Sequence, residues 1–260
     1  AVVDQALALW GMNGANYTLI AARENAVYKI STDTVTYALR LHRQGYRTDA
    51  ELRSELQWMH AVSEGGINVP TPIPSTTENL LHVIDGVQVD VLTWLSGSTM
   101  EEVLEGQSNR SELFESLGKD MARMHVVSDG LHLPNGFTRC AWDRNGLLGE
   151  APLWDRFWDN PQLSPKDRDV FLAMRQKAQL ELAALEGSLD YGLIHADLVA
   201  ANVMVDGRNI QMIDFDDGGF GFRLFDIATA LLKHEGAPEY PSLRAGLIKG
   251  YTSARPIDLS

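Results

Sequence analysis

Residues 16–42 read as strands. NAVYKIS (25–31) and VTYALRLHR (35–43) are rich in β-branched and aromatic side chains, with STDT as the turn between them. TDAELRSELQWMHAVSEGG then opens on Thr48 and Glu51, a capping-box pair, and closes on Gly65 and Gly66, which predicts a helix. NLLHVIDGVQVDVLTWL holds two further strands around Asp85-Gly86, a pair suited to a two-residue hairpin. The first 95 residues therefore read β-β-β-α-β-β.

After Gly97 the pattern changes. Ser98 with Glu101 can cap a short helix, and Asn109 with Glu112 a longer one carrying Leu113, Leu117, Met121 and Met124 at helical spacing. Residues 128–163 read as a loop region with three of the six tryptophans. Ser164-Pro165 and Asp167 start another helix, with Phe171, Met174, Ala178, Leu182 and Leu185 as its apolar stripe. FDIATALLKHE begins one more. A strand-rich lobe, residues 1–95, and a helix-rich lobe, residues 96–260, are expected to meet near residue 95, an α+β organisation.

Composition narrows the partners. The chain has 260 residues, 45% of them hydrophobic, and a net charge of −13. That acid excess argues against nucleic acid or an anionic membrane surface as the main partner. One cysteine, Cys140, excludes an internal disulfide framework and a multi-cysteine zinc site. Seven histidines without HxH or HExxH spacing speak against a histidine-based metal site. No apolar run reaches the roughly 18 residues of a membrane span, and AVVDQALALWG lacks the basic region of a secretory signal. A cytoplasmic enzyme is the expectation.

The chemistry concentrates in IHADLVAANVMVDGRNIQMIDFDDG (194–218). NVMV, Asp206-Gly207 and NIQMIDF form a predicted hairpin, which brings Asn202, just before its first strand, close to Asp214 at the end of its second. Asp and Asn oxygens are hard donors suited to Mg²⁺, an ion held by one or two carboxylates plus substrate phosphates. Asp197, five residues before Asn202, can face the same ion without ligating it, placed to accept a proton from a hydroxyl.

His195-Ala196-Asp197…Asn202 followed by Ile213-Asp214-Phe215 resembles the catalytic loop and metal motif of the kinase-like phosphotransferases. Within them the chain is similar to the aminoglycoside phosphotransferases, choline kinases and type II homoserine kinases, since Ala196 and Asp216 stand where protein kinases carry Arg and Gly. The resemblance covers nearly the whole chain. It implies a protein-kinase-like two-lobe fold, ATP and Mg²⁺ as cofactors, and a small hydroxyl-bearing acceptor. Asp197 would be the catalytic base, and Asn202 and Asp214 the metal ligands.

YALR (37–40) matches the third-strand motif of kinases. Ala38 would lie over adenine, Arg40 would reach the phosphates, and Glu55 would pair with Arg40. His195 and Asp226 are expected to support the catalytic loop, and His125 to be a satisfied structural histidine. Arg where protein kinases have Lys implies a forked phosphate contact, with Lys29 as a rival. No G-x-G-x-x-G covers the nucleotide; Arg23, Glu24 and Asn25 occupy the expected loop tip, with Asn25 as a nucleotide contact.

VLTWLSG (91–97) is the expected hinge, pairing adenine through backbone near Thr93 to Leu95. Trp154, Asp155, Trp158 and Asp159 would wall the acceptor site, suiting an amine-bearing alcohol, and Asp216 and Asp217 would meet a cationic substrate or second Mg²⁺. A protein Ser/Thr kinase and a non-catalytic nucleotide sensor are the rival readings. Only a dozen residues separate Asp214 from Asp226, too few for an obvious activation segment.

Overall fold

The computed structural model describes residues 1–23, 25–106 and 109–257. The strands of the first part are β1 (Asn16–Ala22), β2 (Ala26–Ser31), β3 (Thr36–Leu41), β4 (His82–Ile84) and β5 (Val87–Thr93). They form one antiparallel sheet in the order β1-β2-β3-β5-β4. The β4–β5 turn holds both Asp85 and Gly86 at positive φ, 51° and 79°, the type I′ geometry that matches strand twist. Helix α2 (Asp49–Glu64) closes both arms of its capping box: Glu51 N–H donates to Thr48 Oγ1 at 3.2 Å, and Thr48 N–H to Glu51 Oε2 at 2.8 Å.

A helix absent from the sequence reading, α1 (Val2–Leu9), precedes the sheet. Val3, Ala6, Leu7 and Trp10 recur at helical spacing and bury against Ile30, Leu39, Val89 and Val91. The signal was present in the first ten residues.

The second part opens with β6 (Ser98–Thr99) and α3 (Met100–Gly106). Its cap lies one residue later than expected, on Thr99 and Glu102. Helix α4 (Arg110–Gly130) buries Leu117, Met121 and Met124, but Asn109 makes no side-chain cap bond. The expected loop region is partly ordered: α4 runs into it, and β7 (Ala141–Trp142) and α5 (Arg144–Leu148) follow.

Helix α6 (Pro165–Leu185) starts at the Ser164 cap as expected, yet buries none of its residues. Met174 and Leu185, from its predicted apolar stripe, are 57% and 51% exposed. Only one side of the helix meets α5 and the turn at residues 157–159.

Next come β8 (Tyr191–Ile194), β9 (Val203–Asp206), β10 (Asn209–Met212), β11 (Gly219–Phe222), α7 (Arg223–Leu232) and α8 (Tyr240–Thr252). Asp206 pairs with Asn209, so the hairpin turns on Gly207-Arg208, one residue later than expected. Two small sheets result, β10-β9-β6 and β7-β11-β8. Helices α4 and α8 touch backbone to backbone; a Cβ on Gly250 would lie 1.8 Å from the carbonyl oxygen of Glu115.

One apolar core runs from α2 (Leu52, Leu56, Met59) through α4 to β9, β10 and α8, so the helix of the strand-rich part is anchored on the helix-rich part. No described helix is long and apolar enough to cross a membrane.

Candidate active site

The loop after β8 is pinned from below. Asp226, in the first turn of α7 and fully buried, accepts the N–H groups of His195 at 2.9 Å and Ala196 at 2.7 Å. Ala196 has a φ of 68°, a conformation that an L-residue holds only when its surroundings impose it. His125 reaches the same carboxylate at 3.0 Å through Nε2, and its Nδ1 meets the hydroxyl of Tyr251 at 2.9 Å. Burial pushes the Asp226 pKa up, but the bond to His125, the charges of both histidines and the backbone donor outweigh it and hold the group below its usual value. His125 is pushed down by its burial, against the opposing bond and charge of Asp226, and acts as a strut.

This bracing aims three side chains. Asn202 donates both amide hydrogens to Asp197, at 3.0 Å to its carbonyl and 2.7 Å to Oδ2. The Asn202 Oδ1 lone pairs are therefore what remains for a cation. Ile213 N–H donates to the carbonyl of Asn202 at 3.0 Å, so Asp214 follows directly on a residue bonded to Asn202. His195 ties the same parts together: Nε2 meets the Ile213 carbonyl at 2.9 Å, and Nδ1 faces the N–H of Asp197 at 3.4 Å.

Asp214, like Ala196, has a positive φ, 65°. By surface the residue is exposed, but its carboxyl lies within reach of the charges of His195, Arg40, Glu55 and Asp217. Loss of water raises its pKa, helped by Glu55 and Asp217 and opposed by His195 and Arg40. Asp197 is raised chiefly by partial burial, with the charges of Asp217 and Asp214 adding to it. Among the described residues no cluster of three or more His, Cys, Asp or Glu could hold a metal. One carboxylate and one amide oxygen suit an ion that takes its other ligands from phosphates and water.

On the roof of the cleft, β3 presents Ala38 and Arg40 on one face. Arg40 donates to Glu55 Oε1 at 2.8 Å. A second partner escaped the sequence reading: Asp90, directly across on β5, takes Nε at 2.8 Å and Nη2 at 2.9 Å in a fork. His42 adds a 2.6 Å contact to Asp90 Oδ2. Burial works against Asp90 ionising, yet Arg40 and His42 lower its pKa to about 2. A charged residue inside the apolar run VQVDVLT was the available signal. Glu55 is likewise held low despite burial by Arg40 and Arg139.

The register separates Arg40 from its rival. Val27 stands opposite Arg40, whereas Lys29 stands opposite Ala38, two positions nearer the hinge, with its ammonium 5.1 Å from the Trp94 ring centroid. Asn25 uses its Oδ1 to accept the N–H of Arg43 at 3.3 Å, closing the β2–β3 end of the sheet. Arg23 donates its N–H to the carbonyl of Asn25, and Glu24 lies outside the described residues. Thr93 gives its N–H to the carbonyl of Thr71 at 2.9 Å, so that amide already has a partner within the protein.

The expected acceptor wall divides. Trp154 is 53% exposed and packs edge-on against Trp142, 4.6 Å between centroids; Trp142 Nε1 donates to the carbonyl of Asp217 at 2.7 Å. Trp154 and Asp217 are thus joined through one indole. Asp155 lies at an exposed turn with φ 67°, its Oδ1 accepting the N–H of Arg156. Trp158 is instead core, 1% exposed, with the Arg175 guanidinium 3.9 Å over its ring. Asp159 is tied to Arg156 and Arg168. Both face α6, not the cleft.

Asp216 is buried too. Arg47, unnoticed in the sequence, donates to its carbonyl at 2.9 Å and to Asp217 Oδ1 at 3.3 Å. Burial and the charge of Glu55 push the Asp216 carboxyl up to about 6.

Known proteins resemble the chain in sequence and in fold. Amicoumacin kinase of Bacillus subtilis is 28% identical over 233 residues, 88% of this chain and 66% of the relative. A homoserine kinase of Sinorhizobium medicae is 28% identical over 241 residues, 89% of this chain and 68% of the relative. The chain thus spans about two thirds of the length of these curated relatives. The structure of a microcompartment-associated aminopropanol kinase superposes with a TM-score of 0.84 at 28% identity, covering 99% of this chain and 82% of that one. Residues 16–258 match the model of the phosphotransferase enzyme family, and the chain belongs to that family.

Proposed function

We propose that this protein transfers the γ-phosphate of ATP to a hydroxyl of a small, amine-bearing molecule of the aminoglycoside, homoserine or amino-alcohol type. The observation that carries the reading is the double donation of Asn202 to Asp197 beside Asp214. It fixes a carboxylate base against one hard oxygen donor, and the bond from Ile213 N–H to the Asn202 carbonyl brings the second, Asp214, alongside from the far end of the hairpin. Two relatives are named for acceptors, homoserine and aminopropanol, that carry both an amine and a hydroxyl.

Each residue then has a task. Asp197 orients the acceptor hydroxyl and takes its proton; a base with a raised pKa is better matched to neutral pH than an ordinary Asp. Arg40, held in a fork by Asp90 and at its other end by Glu55, offers its remaining N–H groups to phosphate oxygens. Asn202 Oδ1 and the Asp214 carboxylate would hold Mg²⁺, which supplies charge neutralisation to the phosphates when bound. Ala38 leaves room for adenine on the same strand face, and Leu95 supplies the hinge backbone. Trp154 and Asp217 offer an aromatic face and a carboxylate to a cationic amine. Positioning and electrostatics do most of the work in such a transfer.

The short span after Asp214 favours a small acceptor. It enters β11 at Gly219, paired on both edges by β7 and β8, so it forms no free segment for a protein substrate to dock on. ADP release is to be measured with MgATP and a panel of amino alcohols, homoserine and aminoglycosides, alongside a generic protein substrate. Acceptor-dependent ADP release that disappears in Asp197→Ala is the expected result. Labelling of protein alone would overturn the reading.

A further inference from the structure

We propose that Arg139 is a positioning residue that latches α2 to the segment carrying Asp214. The proposal rests on the phosphotransfer reading for its kinetic consequence, but not for its structural one. Arg139 lies in the stretch before β7 and is 8% exposed. Its guanidinium has five N–H donors, and each has an acceptor. Nε meets the Gly218 carbonyl at 2.6 Å. Nη1 meets the carbonyl of Glu51 at 3.1 Å and Glu55 Oε2 at 3.2 Å. Nη2 meets the carbonyls of Phe215 at 3.0 Å and Asp216 at 2.7 Å.

Those acceptors fall into two groups far apart in sequence. Glu51 and Glu55 belong to α2, whose Glu55 also holds Arg40 through its other oxygen. Phe215, Asp216 and Gly218 follow directly on Asp214, whose positive φ needs surroundings that fix it. One planar cation therefore ties the Arg40–Glu55 pair to the backbone that aims Asp214. The cation proposed to meet phosphate and the carboxylate proposed to meet the metal are held in one mutual position, although one comes from β3 and the other follows β10. Lysine has three donors and no fork, so it can keep the charge beside Glu55 but not span both groups.

The test uses the full chain and its Arg139→Lys variant, with hydrogen exchange read by mass spectrometry without nucleotide. Faster exchange in both 49–56 and 213–219, with the α4–α8 core unchanged, is expected. Acceleration in one segment only, or in neither, overturns the latch. With MgATP, the half-saturating Mg²⁺ and ATP concentrations should rise by about tenfold to a hundredfold and kcat should fall, with the acceptor KM unmoved. Coupled loosening with unchanged nucleotide kinetics would leave Arg139 a structural residue only and also overturns the proposal.

A parent protein that turns over none of the acceptors defeats the phosphotransfer reading, while the exchange result still decides the latch. Should the variant fail to fold, the parent decides by NMR. Separate, slowly exchanging guanidinium protons on Arg139 support the latch; a single averaged signal overturns it.

Discussion

Asn202 gives both hydrogens of its side-chain amide to Asp197, fixing the orientation of the proposed base and turning its own Oδ1 away from that carboxylate. Exchange of the amide for a carboxylate removes a donor that favours the ionised base and adds a negative neighbour. Asp197 already stands above its usual range, through burial and the charges of Asp217 and Asp214. Asn202→Asp should therefore move the acid limb of the pH–rate profile to higher pH, by about one unit. The profile of kcat/KM measures this, and an unmoved limb would show that Asn202 does not govern the base.

Asp197→Asn keeps the size of the side chain and removes its basicity. Turnover should fall by about a hundredfold or more, with MgATP affinity close to that of the parent. Single-turnover rates and nucleotide titration separate the two quantities. A variant with parental turnover has no need of Asp197 as a base.

Asp90 offers a test of stability. In the fold its pKa is depressed to about 2, chiefly by Arg40 and then His42 against the cost of burial, whereas an Asp in an unfolded chain titrates near about 3.9. A depressed carboxylate contributes stability in full above the unfolded value and loses it as pH falls through the folded one. That contribution is about 2–3 kcal/mol. Asp90→Asn should destabilise the protein at pH 7, by about 3–5 kcal/mol because Arg40 loses a buried partner. The gap to the parent should narrow as pH drops from about 4 toward 2. Urea melts across that range decide; a gap of constant size would mean that the ion pair contributes no pH-dependent stability.

The two tryptophans should behave oppositely. Trp158→Ala empties a core position under Arg175 and should cost about 3–5 kcal/mol with the acceptor KM unchanged. Trp154→Ala removes a half-exposed ring and should cost about 1 kcal/mol, but raise the acceptor KM. Thermal melts and initial rates give both readouts. An acceptor KM indifferent to Trp154 would remove it from the substrate wall.

Local signals in the chain were legible because they report bonds between near neighbours. Thr48 with Glu51, Asp85-Gly86 and Ser164 announce their caps and turn within two to four positions. The same locality blurs detail by one residue where two neighbours could serve, as with Ser98 against Thr99 or Asp206-Gly207 against Gly207-Arg208. The first helix escaped although Val3, Ala6, Leu7 and Trp10 carried its period. In α6 the apolar spacing was real, but spacing cannot say whether a neighbour arrives to cover it.

By itself the sequence determined the β-β-β-α-β-β order of residues 16–93, the family motif of His195, Asp197, Asn202 and Asp214, and the cation–carboxylate pair of Arg40 and Glu55. These are carried by residue type and short spacing, which fix backbone geometry locally. Only the tertiary structure decided that Asp90, 50 residues from Arg40, shares that cation, and that Arg139 spans 84 residues to Glu55. It also sent Trp158 into the core and left Trp154 open. Such pairings depend on which strands lie side by side and which loops fold back, and a buried charge settles on whichever partner that packing brings within reach.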